Sequence, residues 1–242
     1  MKKTLALLIA VLMVVAILPL SVLTAAAEDS DVNCFAVYNG VEWTEYATLA
    51  EADAALADGY TLKVLAGYVT DASYTWGESR SQAINFTIDG DYKNITYTGN
   101  ETAWLFGASC AGAKVTLKNV ALNANNGGVA LAASDGAFVE IQSGSFIASG
   151  AAVVRTVAGD SANTPATLEI YGGMFGLRPS ANVQATDAVV TNGDAGNVII
   201  YGGVFVSASD MENGSVYSEY VLRHTNAAGD FKIFGGDRKS VV

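Results

Sequence analysis

The sequence predicts an all-β fold in which one strand-and-bend unit is stacked repeatedly, as in a solenoid. The main observation is a six-residue block of alternating apolar residues that ends in two glycines. The block occurs at Leu168–Gly173, Val198–Gly203 and Phe231–Gly236, and in a looser form at Val139–Gly144. Glycine is abundant, at 25 of 242 residues, and period-two alternation dominates, which disfavours paired-helix repeats. Repetition of one such unit is typical of quasi-one-dimensional folds.

Weaker copies extend the register of this block toward the N terminus. Each copy contains a second apolar residue that we expect to point into the core. These anchors are Val64, Ile88, Leu117, Ile141, Ile170, Ile200 and Ile233. Their uneven spacing predicts a constrained core with loops of variable length that project outward.

A second strand follows the glycine bend in most units. Its copies are Val129–Leu131, Ala152–Val154, Ala188–Val190 and Tyr220–Leu222. Polar turns come next, and their Gly, Asn and Asp residues supply the positive φ that tight bends need. Residues 60–236 are therefore predicted to form coils with two or three short strands each. Strands that pair with their equivalents one coil away make a parallel β-helix.

These blocks resemble the right-handed parallel β-helix, or pectin-lyase-like, superfamily. The Ile-x-Gly-Gly-x-Phe pattern is similar to that of secreted repeat proteins of gut-type Gram-positive bacteria. The resemblance covers roughly residues 36–236. It implies that any catalysis would use carboxylates on the outer face of one sheet, with calcium and an Arg or Lys base in lyases and paired aspartates in hydrolases. The motif is specific for architecture and not for activity.

Residues 1–27 are predicted to be a secretory signal peptide. Two lysines precede the apolar run Leu5–Leu18, and Ala25–Ala27 supplies small residues for cleavage. An uncleaved membrane anchor is the alternative, and the shortness of the apolar run disfavours it. We therefore expect a secreted or cell-surface protein without membrane contact after cleavage.

The charge of the chain narrows the set of possible binding partners. The formal net charge of −11 disfavours nucleic acid and anionic lipid, because both require a basic patch.

Cys34 and Cys110 lack the spacing of a disulfide framework. Buried free thiols are favoured for them, and an intramolecular disulfide stays open.

The two ends of the predicted coils differ. Residues 28–59 are expected to close the N-terminal end, with a capping box at Thr48–Glu51 and a helix running to about Asp58. No cap is visible at the other end. Residues 237–242 break the register and match a translated short-read sequencing adapter. We therefore expect a reading frame that is truncated after Gly236.

Catalytic candidates are few. The only histidine, His224, ends a second strand, and no P-loop, zinc or dinucleotide motif is present. Glu140 and Glu169 occupy equivalent outward positions, so they should lie about 5 Å apart on neighbouring strands. At that distance they would raise each other's pKa or share a cation, but a solvated face is the simpler interpretation.

Three turn aspartates are weak calcium candidates. Asp160, Asp194 and Asp230 fall at equivalent places in their units, so they could form a column between coils. Aspartate also stabilises bends through its own side chain, and the nine-residue calcium repeat is absent. No cofactor is therefore expected, with calcium as the alternative.

One outward column is aromatic. Tyr171, Tyr201 and Phe234 are predicted to stack as a ladder that grips sugar rings or another protein, unless a loop covers it. We expect an exported, adhesin-like scaffold that binds a polysaccharide or a host or cell-surface glycan. A fragment of a polysaccharide lyase or glycoside hydrolase is the alternative. The oligomeric state does not follow from the sequence.

Overall fold

The structure is a computed structural model that describes residues 32–158, 164–178, 187–193, 196–208, 220–225 and 229–241. The predicted signal peptide, residues 1–27, and two of the calcium candidates, Asp160 and Asp194, lie outside these ranges. Within them, no helix is long and apolar enough to cross a membrane.

Short strands make up most of the regular structure in the described ranges. In chain order they are β1 (Phe35–Tyr38), β2 (Trp43–Tyr46), β3 (Tyr60–Val64), β4 (Tyr68–Thr70), β5 (Tyr74–Trp76), β6 (Phe86–Asp89), β7 (Asn94–Tyr97), β8 (Thr102–Phe106), β9 (Lys114–Lys118), β10 (Val120–Ala124), β11 (Val129–Ala133), β12 (Phe138–Ile141), β13 (Gly144–Ala148), β14 (Ala152–Thr156), β15 (Thr167–Ile170), β16 (Met174–Leu177), β17 (Ala188–Asn192), β18 (Asn197–Ile200), β19 (Val204–Ala208), β20 (Tyr220–His224), β21 (Phe231–Ile233) and β22 (Asp237–Val241). A short helix, α1 (Leu49–Ala54), lies between β2 and β3, and a 3-10 turn spans Ala108–Cys110.

The strands form three sheets, and each coil contributes one strand to each sheet. Sheet A has the order β2-β1-β3-β6-β9-β12-β15-β18-β21. Sheet B runs β4-β7-β10-β13-β16-β19-β22, and sheet C runs β5-β8-β11-β14-β17-β20. Neighbouring strands pair in parallel, apart from β1, which pairs antiparallel with both β2 and β3. The predicted all-β solenoid with parallel sheets is therefore confirmed, with three strands in each coil.

The predicted register of sheet A is confirmed from the second coil onward. Its anchors pair from coil to coil in the order Ile88, Leu117, Ile141, Ile170, Ile200 and Ile233. The first coil differs, because Leu62 and not Val64 pairs with Ile88. Both Leu62 and Val64 are fully buried. A shift of two residues keeps every side chain on its face, so alternation alone does not detect it.

Each glycine pair in the repeat has two separate roles. The second glycine has a positive φ, 115° at Gly173 and 117° at Gly203, which disfavours a residue with a Cβ atom. The first glycine lies against the previous coil. A Cβ atom on Gly202 would come within 2.4 Å of the carbonyl oxygen of Tyr171. The pair therefore lets the chain turn from sheet A into sheet B while successive coils stay in contact.

The core consists of ladders of like residues. Phe146, Phe175 and Phe205 stack inside the coils with ring centroids 5.3 and 5.0 Å apart, and all three are fully buried. Burial of each phenyl ring contributes roughly 1.5–3 kcal/mol. Neither cysteine forms a disulfide; Cys110 is buried as predicted, whereas Cys34 is only partly buried.

The N-terminal end of the coils is closed by α1 and the β1–β2 hairpin. The predicted capping box is present, since the Thr48 side chain accepts from the Glu51 backbone N–H and Glu51 accepts from the Thr48 N–H. The helix ends at Ala54, so it is shorter than the predicted segment to Asp58. The antiparallel pairing of β1 with β3 covers the sheet A edge of the first coil, an arrangement that the sequence analysis missed.

Residues Asp237–Val241 form β22, which pairs in parallel with β19 and so continues sheet B. Strand formation does not test the origin of this segment. The interpretation of residues 237–242 as a translated adapter stays a prediction.

Candidate functional site

The predicted aromatic column lies on the outer face of the solenoid, where sheet A ends. The rings of Tyr171 and Tyr201 stack with centroids 4.6 Å apart, and those of Tyr201 and Phe234 with centroids 5.3 Å apart. Their planes are inclined by only 18° and 11°. The three residues are 46%, 40% and 69% exposed, so the described loops do not cover them. The Gly–Gly repeat produces this stack because it places one ring at the same position of each coil.

A second exposed apolar column follows the same glycine bends. Met174 and Val204 are the first residues of β16 and β19, and they pair with each other across the two coils. Both are exposed, and the bends between the two columns carry no side chains. We call Tyr171, Tyr201, Phe234, Met174 and Val204 the aromatic corner. Exposed apolar side chains that cluster in this way indicate an interaction surface.

The aromatic corner also has a polar component. The Tyr171 hydroxyl donates a hydrogen bond of 3.0 Å to Oε2 of Glu169. This hydrogen bond, together with burial and the nearby carboxylate charge, raises the pKa of Tyr171 to about 12. The phenol is therefore protonated at neutral pH, and Glu169 presents a carboxylate oxygen beside the rings.

The two carboxylate candidates are neighbours in the sheet, but their environments differ. Glu140 and Glu169 are direct partners on β12 and β15. Glu140 is buried and forms a 2.6 Å ion pair with Lys114, while Gln142 donates a second hydrogen bond of 2.6 Å. Burial alone would raise the pKa of Glu140, but the bonds from Lys114 and Gln142 outweigh it and hold this pKa below its ordinary value. Of the two expectations for the pair, a raised pKa is therefore wrong for Glu140, because Lys114 supplies the opposite charge. The simpler interpretation of a solvated face does not hold for this buried side chain either.

The remaining candidates do not form a catalytic or metal centre among the described residues. His224 ends β20 as predicted, stacks on Phe231 at 5.7 Å, and lies 3.1 Å from the Asn192 amide through Nδ1. Asp230 forms an ion pair of 2.6 Å with Lys232. In the described part of the chain, no three His, Cys, Asp or Glu side chains are grouped so that they could hold a metal ion.

Sequence reasoning found the ladder and missed both the adjacent apolar column and the ion-pair partner of Glu140. The column of Met174 and Val204 was visible in the sequence, since both residues follow a Gly–Gly pair. Lys114 was not visible as the partner of Glu140, because it lies one coil earlier and two residues out of register. Long side chains cross the sheet diagonally, so strand pairing alone does not identify such contacts.

Comparison of this chain with protein-family models, with curated proteins and with solved structures finds no match. The geometry of the site therefore has to indicate what the protein does.

Proposed function

We propose that this protein is an exported binding scaffold that holds glycans of a polysaccharide, or of a host or cell surface, at the aromatic corner. The observation that carries the proposal is the exposed stack of Tyr171, Tyr201 and Phe234. Sugars present apolar C–H groups together with hydroxyls. A surface that combines aromatic rings with hydrogen-bonding groups is complementary to both.

The geometry of the stack indicates how a sugar would bind. Each ring covers much of one face of its neighbour, so the solenoid exposes mainly ring edges and the tyrosine hydroxyls. A sugar would lie along the column, with its C–H groups against the ring edges and against Met174 and Val204. Its hydroxyls would donate to the Glu169 carboxylate and exchange hydrogen bonds with the hydroxyls of Tyr171 and Tyr201.

The rigid backbone supports a role in binding. The ladder belongs to consecutive strands whose register is fixed by buried anchors, so the rings are held in place before a ligand arrives. Preorganisation of this kind reduces the entropy lost on binding. The predicted signal peptide and the acidic composition fit an exported protein, and the resemblance to secreted repeat proteins points the same way.

The alternative, a fragment of a polysaccharide lyase or glycoside hydrolase, finds less support in the site. A general acid needs a carboxyl that stays protonated near neutral pH. Glu140 has the opposite property, because its ion pair with Lys114 lowers its pKa. Glu169 is engaged by the Tyr171 hydroxyl, which donates to its Oε2 atom.

Retention on insoluble glycans tests the proposal. We expect the purified protein to be retained on at least one insoluble plant or mucin polysaccharide, and Tyr171→Ala with Tyr201→Ala to weaken retention. If each ring contributes about 1 kcal/mol, the double substitution weakens binding roughly thirtyfold. Trp43→Ala is a matched control, since it removes a half-exposed ring from the β1–β2 hairpin.

Two outcomes would contradict the proposal. Retention that survives the double substitution with an unchanged melting temperature would move the binding surface away from the aromatic corner. Release of oligosaccharides from pectin or another polyuronate, with or without calcium, would favour the enzyme alternative.

A further inference from the structure

A second surface, on the outer face of sheet C, holds an arginine without a carboxylate partner. Arg155 lies on β14 next to Ala132 of β11. Because Ala132 is small, the arginine side chain can extend over β11 toward β8. There its Nη2 atom donates a 3.1 Å hydrogen bond to the hydroxyl of Thr102. The hydroxyl fixes one arm of the guanidinium and leaves the other donors free.

Few interactions offset the free-energy cost of removing the Arg155 guanidinium from water. Its Nε atom is buried without a hydrogen-bond partner, and Arg155 takes part in none of the ion pairs of the described residues. Burial lowers the pKa of Arg155, and no neighbouring carboxylate offsets that effect. The protein has 24 acidic and 13 basic residues, so a partly buried arginine that pairs with none of the described acids needs an explanation.

Two other arginines, Arg80 and Arg178, show the difference. Arg80 is also buried, but it forms an ion pair of 2.8 Å with Asp53. Arg178 is exposed and donates to the side chain of Asn125. Of these three, Arg155 is the one that combines partial burial, a free donor and an adjacent groove.

The groove beside Arg155 has a volume of about 420 Å³. Its polar lining comes from Ser73, Thr75, Asn100, Glu101 and Thr102, and its apolar lining includes Leu105 and Val129. A space of this size accommodates a monosaccharide-sized ligand. Hydroxyl and amide groups around a single guanidinium suit a ligand with several hydroxyls and one negative charge.

We propose that this groove binds a compact oxyanion, a carboxylate or sulfate carried by a sugar-sized ligand, with Arg155 as the residue that pairs with its charge. The planar guanidinium presents two parallel N–H donors to such a group, and the resulting charge-assisted hydrogen bonds are among the strong ones in proteins. Asn100 and Ser73 would hydrogen-bond the ligand hydroxyls. This site lies on sheet C and is independent of the aromatic corner, which adjoins sheets A and B.

The test uses three sugars that have the same kind of ring and differ in the anionic group that they carry. Glucuronate carries a carboxylate, glucose 6-sulfate carries a sulfate, and glucose carries neither. Titration of the purified protein by NMR should give saturable shifts for at least one of the two anions, with a dissociation constant on the order of 1 mM. Whichever anion binds more tightly identifies the preferred group. Equal binding of glucose, or saturation by neither anion, would overturn the proposal.

Two variants locate the site. Arg155→Met keeps an unbranched apolar stem and removes the guanidinium with its charge, and it should weaken binding of the anion by about tenfold or more. Arg178→Met removes the same charge from an exposed position and should leave binding within about twofold, because exposed charges at a distance are screened. Undiminished binding by a folded Arg155→Met variant, or an equal loss in both variants, would overturn the proposal.

A third variant, at Glu101, tests the groove through an expected increase in its affinity for the anion. The Glu101 carboxylate lines the groove and should repel an anion. Glu101→Gln should therefore strengthen anion binding a few-fold and leave the response to glucose unchanged. Weaker anion binding in this variant would contradict the assignment of the groove as an oxyanion site.

Discussion

The two parts of the solenoid are stabilised by different means. In the later coils, identical or similar residues stack on one another, as in the buried ladder of Phe146, Phe175 and Phe205. At the N-terminal end the residues do not repeat. There a buried ion pair joins Asp53 of α1 to Arg80 with a 2.8 Å contact. The same carboxylate accepts hydrogen bonds from Tyr74 and from the Gly77 backbone N–H.

This difference follows from what each part must cover. An inner coil has a coil of similar structure on each side. Its apolar ladders therefore pack on both neighbours, and its strands find backbone hydrogen-bond partners in both. The first coil lacks such a neighbour on one side. A helix and an antiparallel hairpin cover that side, and the ion pair of Asp53 and Arg80 fixes the helix against the coil. A buried ion pair adds specificity of docking more than stability, because both charges must be desolvated.

The largest expected effect is in the ladder region. Ile170 is fully buried among Ile141 and Ile200, so Ile170→Asp places an unpaired carboxyl in the stack. We expect a loss of about 4–5 kcal/mol in the free energy of unfolding, or a failure to fold. Glu169→Ala, one residue away and outward, should change it by no more than about 0.5 kcal/mol. Similar losses in thermal melts of the two variants would mean that the register is wrong by one residue.

A somewhat smaller effect is expected at the N-terminal end. Asp53→Ala leaves Arg80 buried without its partner and should cost about 3–5 kcal/mol. Asp53→Leu combined with Arg80→Met removes both charges and should cost much less, since similar replacements elsewhere are close to neutral. Chemical denaturation of both proteins measures the two effects. A double variant as unstable as Asp53→Ala would show that the ion pair stabilises the cap and does not merely orient it.

The same contrast explains which parts of the fold the sequence reveals. Residues at repeated positions can be recognised in the sequence, so the pairing of Ile88 through Ile233 follows from the Gly–Gly blocks and their weaker copies. In the first coil Leu62 and Val64 both point inward, and the choice between them depends on the lengths of turns that do not repeat. The contact between Asp53 and Arg80 joins a helix to a turn far along the chain, and no local pattern encodes it.

The residues of the candidate sites differ in the same way, since only those at repeated positions could be predicted from the sequence. Tyr171, Tyr201 and Phe234 were predictable as a ladder because each occupies the same place in its repeat. Arg155 was not predictable as a site, because its neighbours Thr102 and Glu101 come from a different coil and from a turn. A property that depends on burial and on an absent partner becomes visible only when the coils are stacked.

The glycine bends give a sharper test of the close contact between coils. Gly202→Ala brings a Cβ atom within 2.4 Å of the Tyr171 carbonyl oxygen, so the backbone must shift. We expect a cost of about 1–3 kcal/mol. Gly176→Ala is the matched control, since its nearest neighbour would be a side-chain carbon of Ile147 at 3.9 Å. That variant should be neutral within about 0.5 kcal/mol. Equal melting temperatures for both variants would show that the coils are less tightly apposed at the bend.

The smallest effect concerns Glu140, a buried carboxylate of the ladder region that forms an ion pair with Lys114. Lys114 and Gln142 lower its pKa from the ordinary 4.5, so the folded state binds this proton less readily than the unfolded state. The stabilisation is therefore present above pH 4.5 and is lost as the pH falls through the lowered pKa. Lys114 is half exposed, so solvent screens the pair and the contribution at pH 7 should be below about 1 kcal/mol.

Thermal melts of Glu140→Gln across this pH range test the assignment. The variant should be slightly less stable than the original protein at pH 7, and the difference should vanish in acid, where the native carboxyl is also neutral. Lys114→Met should show a pH-dependent loss of the same sign, because the favourable charge on Glu140 is then unpaired. A loss in Glu140→Gln that stays constant down to acid pH would point to the hydrogen bond from Gln142 or to packing. In that case the ion pair of Glu140 with Lys114 would contribute nothing measurable to the stability of the ladder region.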